Sequence, residues 1–304
     1  NVKVYASTDP DAIPEDVPVA MADISDLKMT IITNDPAKRY YYTLLFGDKY
    51  RVKIATRNVN IPGIQNFRDL GGYPSYSTKK QVRWGMIYRS AEIDSLECYS
   101  RRELRNLGIK TLIDLRASSE TGRQSPLQKE FNVVHIPLAT GDMENILKGI
   151  REEKIKSDTV YRMVEQMNRD LIDKYTTEYR QIFDILLDKN SYPVVIHCSS
   201  GKGRTGIVSA LVLAALGINE DIIMEDYRLS NDYFNIPSAS KDAYQLPARS
   251  QEAITTLFSA REDFLNAAKE EAERRYGDID SYLPKGIGLN KDEIKRLRSI
   301  LLSD

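Results

Sequence analysis

Apolar stretches rich in β-branched residues and tyrosine recur through the first 60 positions and predict strands over residues 28–33, 40–46 and 50–56. Asn34-Asp35-Pro36 and Gly47-Asp48 supply the turns between them. Residues 1–60 are therefore expected to form a small β module, a partial sandwich too short to stand without support from the rest of the chain.

The pattern changes after Pro62-Gly63, and residues 61–304 are expected to form a second, larger unit. From residue 99 onward helical and strand-like stretches alternate. A helix is predicted over 99–107, strands over 111–115 and 132–136, then a long helical region, then a strand over 194–196. That alternation predicts an α/β fold, a sheet carrying helices on its faces. Residues 158–189 are polar and periodic, with apolar marks at Val160, Met163, Val164, Met167, Leu171 and Ile172. They read as two helices, or one bent helix, laid over something. The last third is helical over 219–229, over a charged stretch at 250–276, and again after Asn290, where Glu293 three residues on makes a capping-box-like start.

Charge narrows the partners. Lysine and arginine number 43 and aspartate and glutamate 44, so there is no electrostatic reason to expect nucleic acid or an anionic membrane surface. Any anion site has to be local. Two cysteines, Cys98 and Cys198, and two histidines, His135 and His197, are too few and too scattered for a structural zinc site or a disulfide scaffold. No metal or other cofactor is expected. The longest apolar run, residues 207–216, falls far short of the roughly 20 residues of a membrane span. The chain opens on Asn1 rather than Met, which fits a removed signal segment and export as well as it fits a cytoplasmic protein.

The segment that bears chemistry is Val194-Val195-Ile196-His197-Cys198-Ser199-Ser200-Gly201-Lys202-Gly203-Arg204-Thr205-Gly206, followed at once by the apolar run. It reads as a strand, a tight loop and a helix N-terminus. Successive backbone N–H groups in such a loop, with the positive end of the helix dipole, form a concave site for phosphate. A cysteine at its mouth lies in the same field, which favours the thiolate and makes Cys198 a candidate nucleophile. Arg204 can fold its planar fork back over the loop and hold two phosphate oxygens at once. Gly201 and Gly203 let the backbone turn its amides inward, and Ser199, Ser200 and Lys202 complete the phosphate-binding loop. Thr205 is placed to donate its hydroxyl to the sulfur when a phosphoenzyme breaks down. His197 is expected either to orient the loop or to be a satisfied core histidine. Lys202 is expected either to reach a second phosphate at the mouth or to be solvated.

Two plainer readings of the segment fail. A lone cysteine is ordinarily a small hydrophobe, yet here loop, arginine and helix all agree. A Walker-type nucleotide loop needs serine or threonine after its lysine, and Lys202 is followed by Gly203.

The run from His197 to Gly206 has the Cys-x5-Arg form, and in it the chain resembles the protein tyrosine phosphatase superfamily. Further segments narrow the likeness: Asn66-Phe-Arg-Asp-Leu-Gly-Gly72, Val82-Arg-Trp-Gly-Met-Ile-Tyr-Arg-Ser90, Leu107-Gly-Ile-Lys-Thr-Leu-Ile-Asp-Leu-Arg116 with Glu120, Asp226-Tyr-Arg-Leu-Ser-Asn231, and the closing Tyr282-Leu with Gly288-Leu-Asn290. They resemble the bacterial tyrosine/lipid phosphatase family, which includes a secreted mycobacterial phosphatase. The resemblance runs from about residue 63 to the C-terminus. It implies a parallel-sheet phosphatase domain flanked by helices, with a helical lid for which residues 158–189 are the candidate. It also implies metal-free action on phosphotyrosine and, in several members, on phosphoinositides. Members commonly carry Lys-Asp-Arg in the loop, whereas this chain has Lys202-Gly203-Arg204, as in loops of inositol-lipid phosphatases elsewhere in the superfamily.

The leaving oxygen needs a proton, and in the superfamily an aspartate on a loop after an earlier strand supplies it. Asp142, after the predicted strand 132–136, is the first candidate; Asp114, at a strand end that should abut the loop, is the second, and Asp69 the third. Asn66, Arg68 and Asp69 are expected to tie their segment to the sheet, with Arg89 and Arg116 supporting the site from behind. These residues predict a phosphomonoesterase working through a cysteinyl-phosphate intermediate, with phosphorylated protein (phosphotyrosine) as the leading substrate. A phosphoinositide or inositol phosphate substrate is the alternative. A phosphate-binding pseudophosphatase, whose β module binds a partner, is the remaining reading.

Overall fold

The computed structural model describes residues 1–94, 96–121 and 126–303. Four strands lie within the first 54 residues: β1 (Val2–Ser7), β2 (Ala20–Ala22), β3 (Tyr41–Phe46) and β4 (Tyr50–Ile54). They form one antiparallel sheet in the order β2-β1-β3-β4. β3 and β4 are the strands expected at 40–46 and 50–56; β1 and β2 were not expected. Residues 28–33 are not a strand. They alternate between half-buried and exposed, the period of a strand, but pair with neither edge of the sheet, and without a ladder partner an extended segment is coil. In place of a partial sandwich the described residues hold a single sheet here.

The larger sheet is built from β5 (Arg68–Asp69), β8 (Ile87–Ser90), β9 (Thr111–Asp114), β10 (Asn132–His135) and β11 (Val194–His197), in the order β10-β9-β11-β8-β5. Its four long members run parallel and β5 runs antiparallel to β8. β6 (Pro74–Ser75) and β7 (Lys80–Val82) pair as a hairpin onto which β12 (Leu302–Ser303) folds the end of the chain. Because helices cover both faces, the strands are nearly continuous apolar runs whose alternate residues enter different cores. Ile87, Ile113, Val194 and Ile196 face the main core. Tyr88, Leu112 and Val195 face a smaller one with Phe67 and Leu104.

The helices are α1 (Cys98–Asn106), α2 (Met143–Arg151), α3 (Ser157–Lys174), α4 (Thr176–Leu186), α5 (Gly203–Ala215), α6 (Glu220–Arg228), the single turns α7 (Ser230–Tyr233) and α8 (Ile236–Ala239), α9 (Ala248–Phe258), α10 (Glu262–Tyr276), the turn α11 (Ile279–Ser281) and α12 (Lys291–Leu301). The stretch 158–189 is two helices broken at Tyr175, whose hydroxyl bonds both the N–H and the carbonyl of Ala139. α4 turns Tyr179, Ile182, Phe183 and Leu186 into the main core. Of the expected lid, α3 is the part that borders the site: Met167 Cε lies 3.0 Å from the position a Cβ on Gly141 would take. The charged stretch 250–276 is also two helices, α9 and α10, because the Asn231 amide takes the N–H and carbonyl of Ala260 out of any helical ladder. The Asn290–Glu293 capping box that starts α12 is present. No helix among the described residues is long and apolar enough to cross a membrane.

Candidate active site

β8, β9 and β11 end level with one another, since His197 pairs with Ser90 on one side and Asp114 on the other. The loop leaving β11 therefore emerges at the carboxyl edge of the parallel strands, where ligands of open α/β sheets bind. Cys198 is the first residue of that loop and is 1% exposed. Gly201 shapes it: its φ is +70°, and a Cβ there would stand 2.5 Å from the Ser90 carbonyl carbon and oxygen. A side chain has no room and the backbone conformation disfavours one.

The loop carbonyls are drawn away from its concave side. Glu92 N–H donates to the Ser199 carbonyl at 3.2 Å. Asn66 Nδ2 donates to the carbonyls of Ser200 and Gly201, each at 3.2 Å, and Arg89 Nη2 to that of Gly201 at 2.6 Å. With the carbonyls turned out, the N–H groups of Ser199, Ser200, Gly201 and Lys202 have no acceptor among the described residues. They lie just ahead of the N-terminus of α5, whose own first N–H groups have no intrahelical partner. The arrangement forms a cradle that can receive an anion.

Arg204 lies over the cradle's edge in the first turn of α5, 5% exposed. Its fork is bidentate on Glu120, at 2.6 and 2.7 Å, and also donates to the Leu138 carbonyl and to Ser199 Oγ, each at 3.1 Å. Glu120 thus fixes the plane of the guanidinium. Burial pushes the Glu120 carboxyl up, but the hydrogen bonds and charge of Arg204 prevail and hold it below the usual range.

Behind the loop, Asp226 joins two buried arginines. Its carboxylate accepts from Arg68 at 2.8 Å, Arg89 at 2.7 Å and the Tyr73 hydroxyl at 2.7 Å. Burial alone would raise its pKa; the two guanidinium charges win and bring it down to about 2. Asn66 and Arg68 hold this bracket together as expected of their segment, since Arg68 Nε donates to Asn66 Oδ1 at 3.0 Å. Asp69 lies apart from the loop, bound to Arg39 and to the N–H groups of Gly71 and Gly85. The bracket's anion, Asp226, entered the sequence reading only within a segment of the family resemblance, with no role assigned to it. No local signal singles it out, because Asp226 follows Glu225 on a helix of mixed charge.

Lys202 departs from expectation, and Thr205 and His197 each bury a polar atom without a partner among the described residues. Lys202 is neither at the mouth nor solvated: its ammonium is buried and donates to the Leu257 carbonyl at 2.5 Å, because the end of α9 leaves that acceptor without a helical partner. Thr205 Oγ1 is buried without a hydrogen-bond partner among the described residues, the Cys198 sulfur included. His197 is buried, its Nδ1 has no partner among the described residues, and burial lowers its pKa to about 4.

The two leading acid candidates sit in contrasting surroundings. Asp114 spends both oxygens on Arg116, at 3.0 and 2.9 Å, and Arg116 reaches on to Asp94 at 2.8 Å. Burial raises the Asp114 carboxyl, but Arg116 outweighs it and the net direction is down. Asp142 is exposed and caps α2, accepting from the Asn145 N–H at 3.1 Å and its amide at 2.6 Å. It ends the same loop whose Leu138 carbonyl touches Arg204. Among the described residues no group of three or more histidine, cysteine or acidic side chains is gathered as for a metal ion.

Comparison with known proteins bears on this geometry. A family model described as "Tyrosine phosphatase family" matches residues 59–303. The triple specificity protein phosphatase PtpB of Mycobacterium tuberculosis is 30% identical over 285 residues, covering 80% of this chain and 98% of the relative. A putative tyrosine-protein phosphatase of Cupriavidus necator is 25% identical over 238 residues, covering 76% of this chain and 85% of the relative. Among solved structures, the core catalytic domain of the PP-IP phosphatase SIW14 from S. cerevisiae is 16% identical and covers 70% of this chain and 96% of its own, with a TM-score of 0.33.

Proposed function

Because the chain belongs to the tyrosine phosphatase family, we propose that Cys198 is the nucleophile of a phosphate monoester hydrolase whose leading substrate is protein phosphotyrosine. The Cys198 thiolate attacks phosphorus, the S–P bond forms, and the P–O bond to the leaving group breaks as that oxygen takes a proton. Water then attacks the cysteinyl-phosphate, the S–P bond breaks, and the thiolate returns with release of inorganic phosphate. The cradle N–H groups and Arg204 carry the phosphoryl charge through both steps. The observation that supports this most is the outward turn of three successive carbonyls, from Ser199 to Gly201, which frees the N–H groups on the inner side.

Cys198→Ser tests it. Hydrolysis of 4-nitrophenyl phosphate should fall by at least about a thousandfold with the thermal melt unchanged, since a serine hydroxyl is a far weaker nucleophile at neutral pH. Turnover close to wild type would end the proposal.

Asp142 is the proposed proton donor. It carries no ion pair among the described residues, whereas Asp114 is held ionised by Arg116. Asp142→Asn should lower kcat on a phenyl phosphate, a poor leaving group, by about 100-fold or more, and spare an activated aryl phosphate that needs little protonation. If Asp114→Asn shows that pattern and Asp142→Asn does not, the roles exchange.

A phosphoinositide or inositol phosphate substrate is the second reading, and Gly203 favours it. Among the described residues, apart from its chain neighbours and its own helix backbone, nothing lies within 4 Å of where its Cβ would stand, which leaves room on that side. PtpB is named a triple specificity phosphatase, which is consistent with such breadth in a relative. The withdrawal of Lys202 removes one cation that would have met a head group. Rates on a phosphotyrosine peptide and on inositol phosphates, measured side by side, decide between the two. Robust hydrolysis of either disposes of the pseudophosphatase.

A further inference from the structure

The proposed chemistry leaves the Lys202 side chain without a task. Its backbone is the N-cap of α5. Its side chain runs away from the cradle into the protein, where Nζ meets the carbonyl of Leu257 in the last turn of α9. The ring of Phe264, on α10, has its centroid 5.9 Å away. No carboxylate pairs with this ammonium among the described residues. The charged groups facing it are Cys198 from the loop and the Arg261 guanidinium from the turn between α9 and α10; α9 offers a carbonyl and α10 an aromatic face.

A buried ammonium without a carboxylate is costly to keep. The negative end of the α9 dipole, with its orphan carbonyls, offsets part of that cost. One residue therefore joins the positive end of α5 to the negative end of α9. α9 and α10 both pack on α3, which borders the loop 137–141 lying over Arg204. The helical layer and the phosphate loop meet at this ammonium.

We propose that Lys202 is a positioning residue: its ammonium ties the phosphate loop to the C-terminal end of α9, holding the loop amides in their inward-facing arrangement and placing a buried positive charge beside the Cys198 sulfur. The inference rests on the phosphatase reading of this loop but assigns Lys202 no contact with substrate. It differs from the mouth position in that the size or charge of the leaving group should not matter to Lys202 variants.

The ammonium must be charged to act in this way. Burial lowers its pKa to about 7, with Cys198 opposing that shift. A group lowered to that value loses its proton as pH rises through neutrality, so wild-type kcat/KM should decline above about pH 7. Lys202→Arg keeps a charge at every accessible pH and should remove that decline. Lys202→Met removes the charge without changing the apolar surroundings, and replacing an unpaired buried ion by an apolar side chain need not destabilise the fold.

The experiment measures three quantities for wild type, Lys202→Met and Lys202→Arg. These are Kd for inorganic phosphate by calorimetry at pH 6, the pH profile of kcat/KM on 4-nitrophenyl phosphate, and Tm. The expected result for Lys202→Met is a loss of about tenfold or more in both phosphate affinity and kcat/KM, with Tm unchanged or raised. Lys202→Arg should retain activity above pH 7 relative to its own value at pH 6. Wild-type affinity and turnover in Lys202→Met would overturn the inference. So would a fall in Tm that tracks the loss of activity, or an unaltered alkaline decline in Lys202→Arg. If wild-type protein neither binds phosphate nor hydrolyses the ester, the reading of the site itself has failed, an outcome distinct from all of these.

Discussion

One residue before Cys198, His197 is 2% exposed and its Nδ1 meets no partner among the described residues. In the folded chain it stays neutral down to about pH 4, against an ordinary value near 6.5. The unfolded chain therefore binds this proton more readily between those two values, and stability falls as pH drops from about 6.5 to about 4, with nothing further lost below. At 1.36 kcal/mol per pH unit the full effect is about 3 kcal/mol. Urea melts at pH 7 and pH 5 should show most of that loss in wild type and little of it in His197→Asn; equal slopes in the two proteins would mean that the ring is already satisfied. Asp226 has the opposite placement, contributing above about pH 4 and losing its contribution only as pH falls toward 2. Cys198 and Arg204 were legible in the sequence because a strand, a glycine loop and an apolar helix frame them locally. The destination of Lys202 was not, since the carbonyl that claims it belongs to Leu257, 55 residues further along.

At the scale of elements, the site is a strand, a loop and a helix that the sequence states in order: β11, Cys198–Lys202, α5. β9 and β10 were legible for the same reason, being apolar runs bounded by turn residues. What local pattern did not reveal was partnership. Residues 28–33 have strand composition and strand periodicity yet no ladder, and the break between α9 and α10 is made by Asn231 from a different helix. The loop itself depends on one close approach between elements. Gly201 lies against the end of β8, with the Ser90 carbonyl 2.5 Å from any added Cβ, and its φ of +70° is one that an L side chain rarely adopts. Gly201→Ala must therefore push the loop off β8 and disturb the carbonyls held by Asn66 and Arg89. A displacement of about 1 Å in a catalytic loop costs about 100-fold in rate, so kcat/KM on 4-nitrophenyl phosphate should fall by that order. A change within twofold would show that the loop tolerates the shift and that its amides are not held as described.

Over the whole molecule, the question is how residues 1–60 relate to residues 61–304. The first sheet has few buried apolar side chains of its own, Val2, Val4, Tyr5, Tyr41 and Leu45, while Val17, Leu27, Ile32 and Tyr50 stay exposed. A core that small does not support an independent sheet. Its attachment is polar and buried. Arg39 reaches from the segment before β3 to Asp69 at 2.7 Å and to the Tyr88 hydroxyl at 2.8 Å, and Trp84 Nε1 donates to the Lys53 carbonyl at 3.3 Å. Asp69 has no exposed side-chain surface, and β5 pairs it with β8, the strand that ends beneath the phosphate loop. We propose that the two parts fold as one cooperative unit joined at this ion pair. Arg39→Ala leaves a buried carboxylate whose remaining hydrogen bonds among the described residues come from the N–H groups of Gly71 and Gly85. Removing one partner of a buried pair costs about 3–5 kcal/mol, and a loss of that size should appear in a urea melt as one transition at lower midpoint with its slope preserved. A second transition in the variant, or a cost below about 1 kcal/mol, would instead mean that the β sheet and the phosphatase part are stable separately and that Asp69 is held by its own strand.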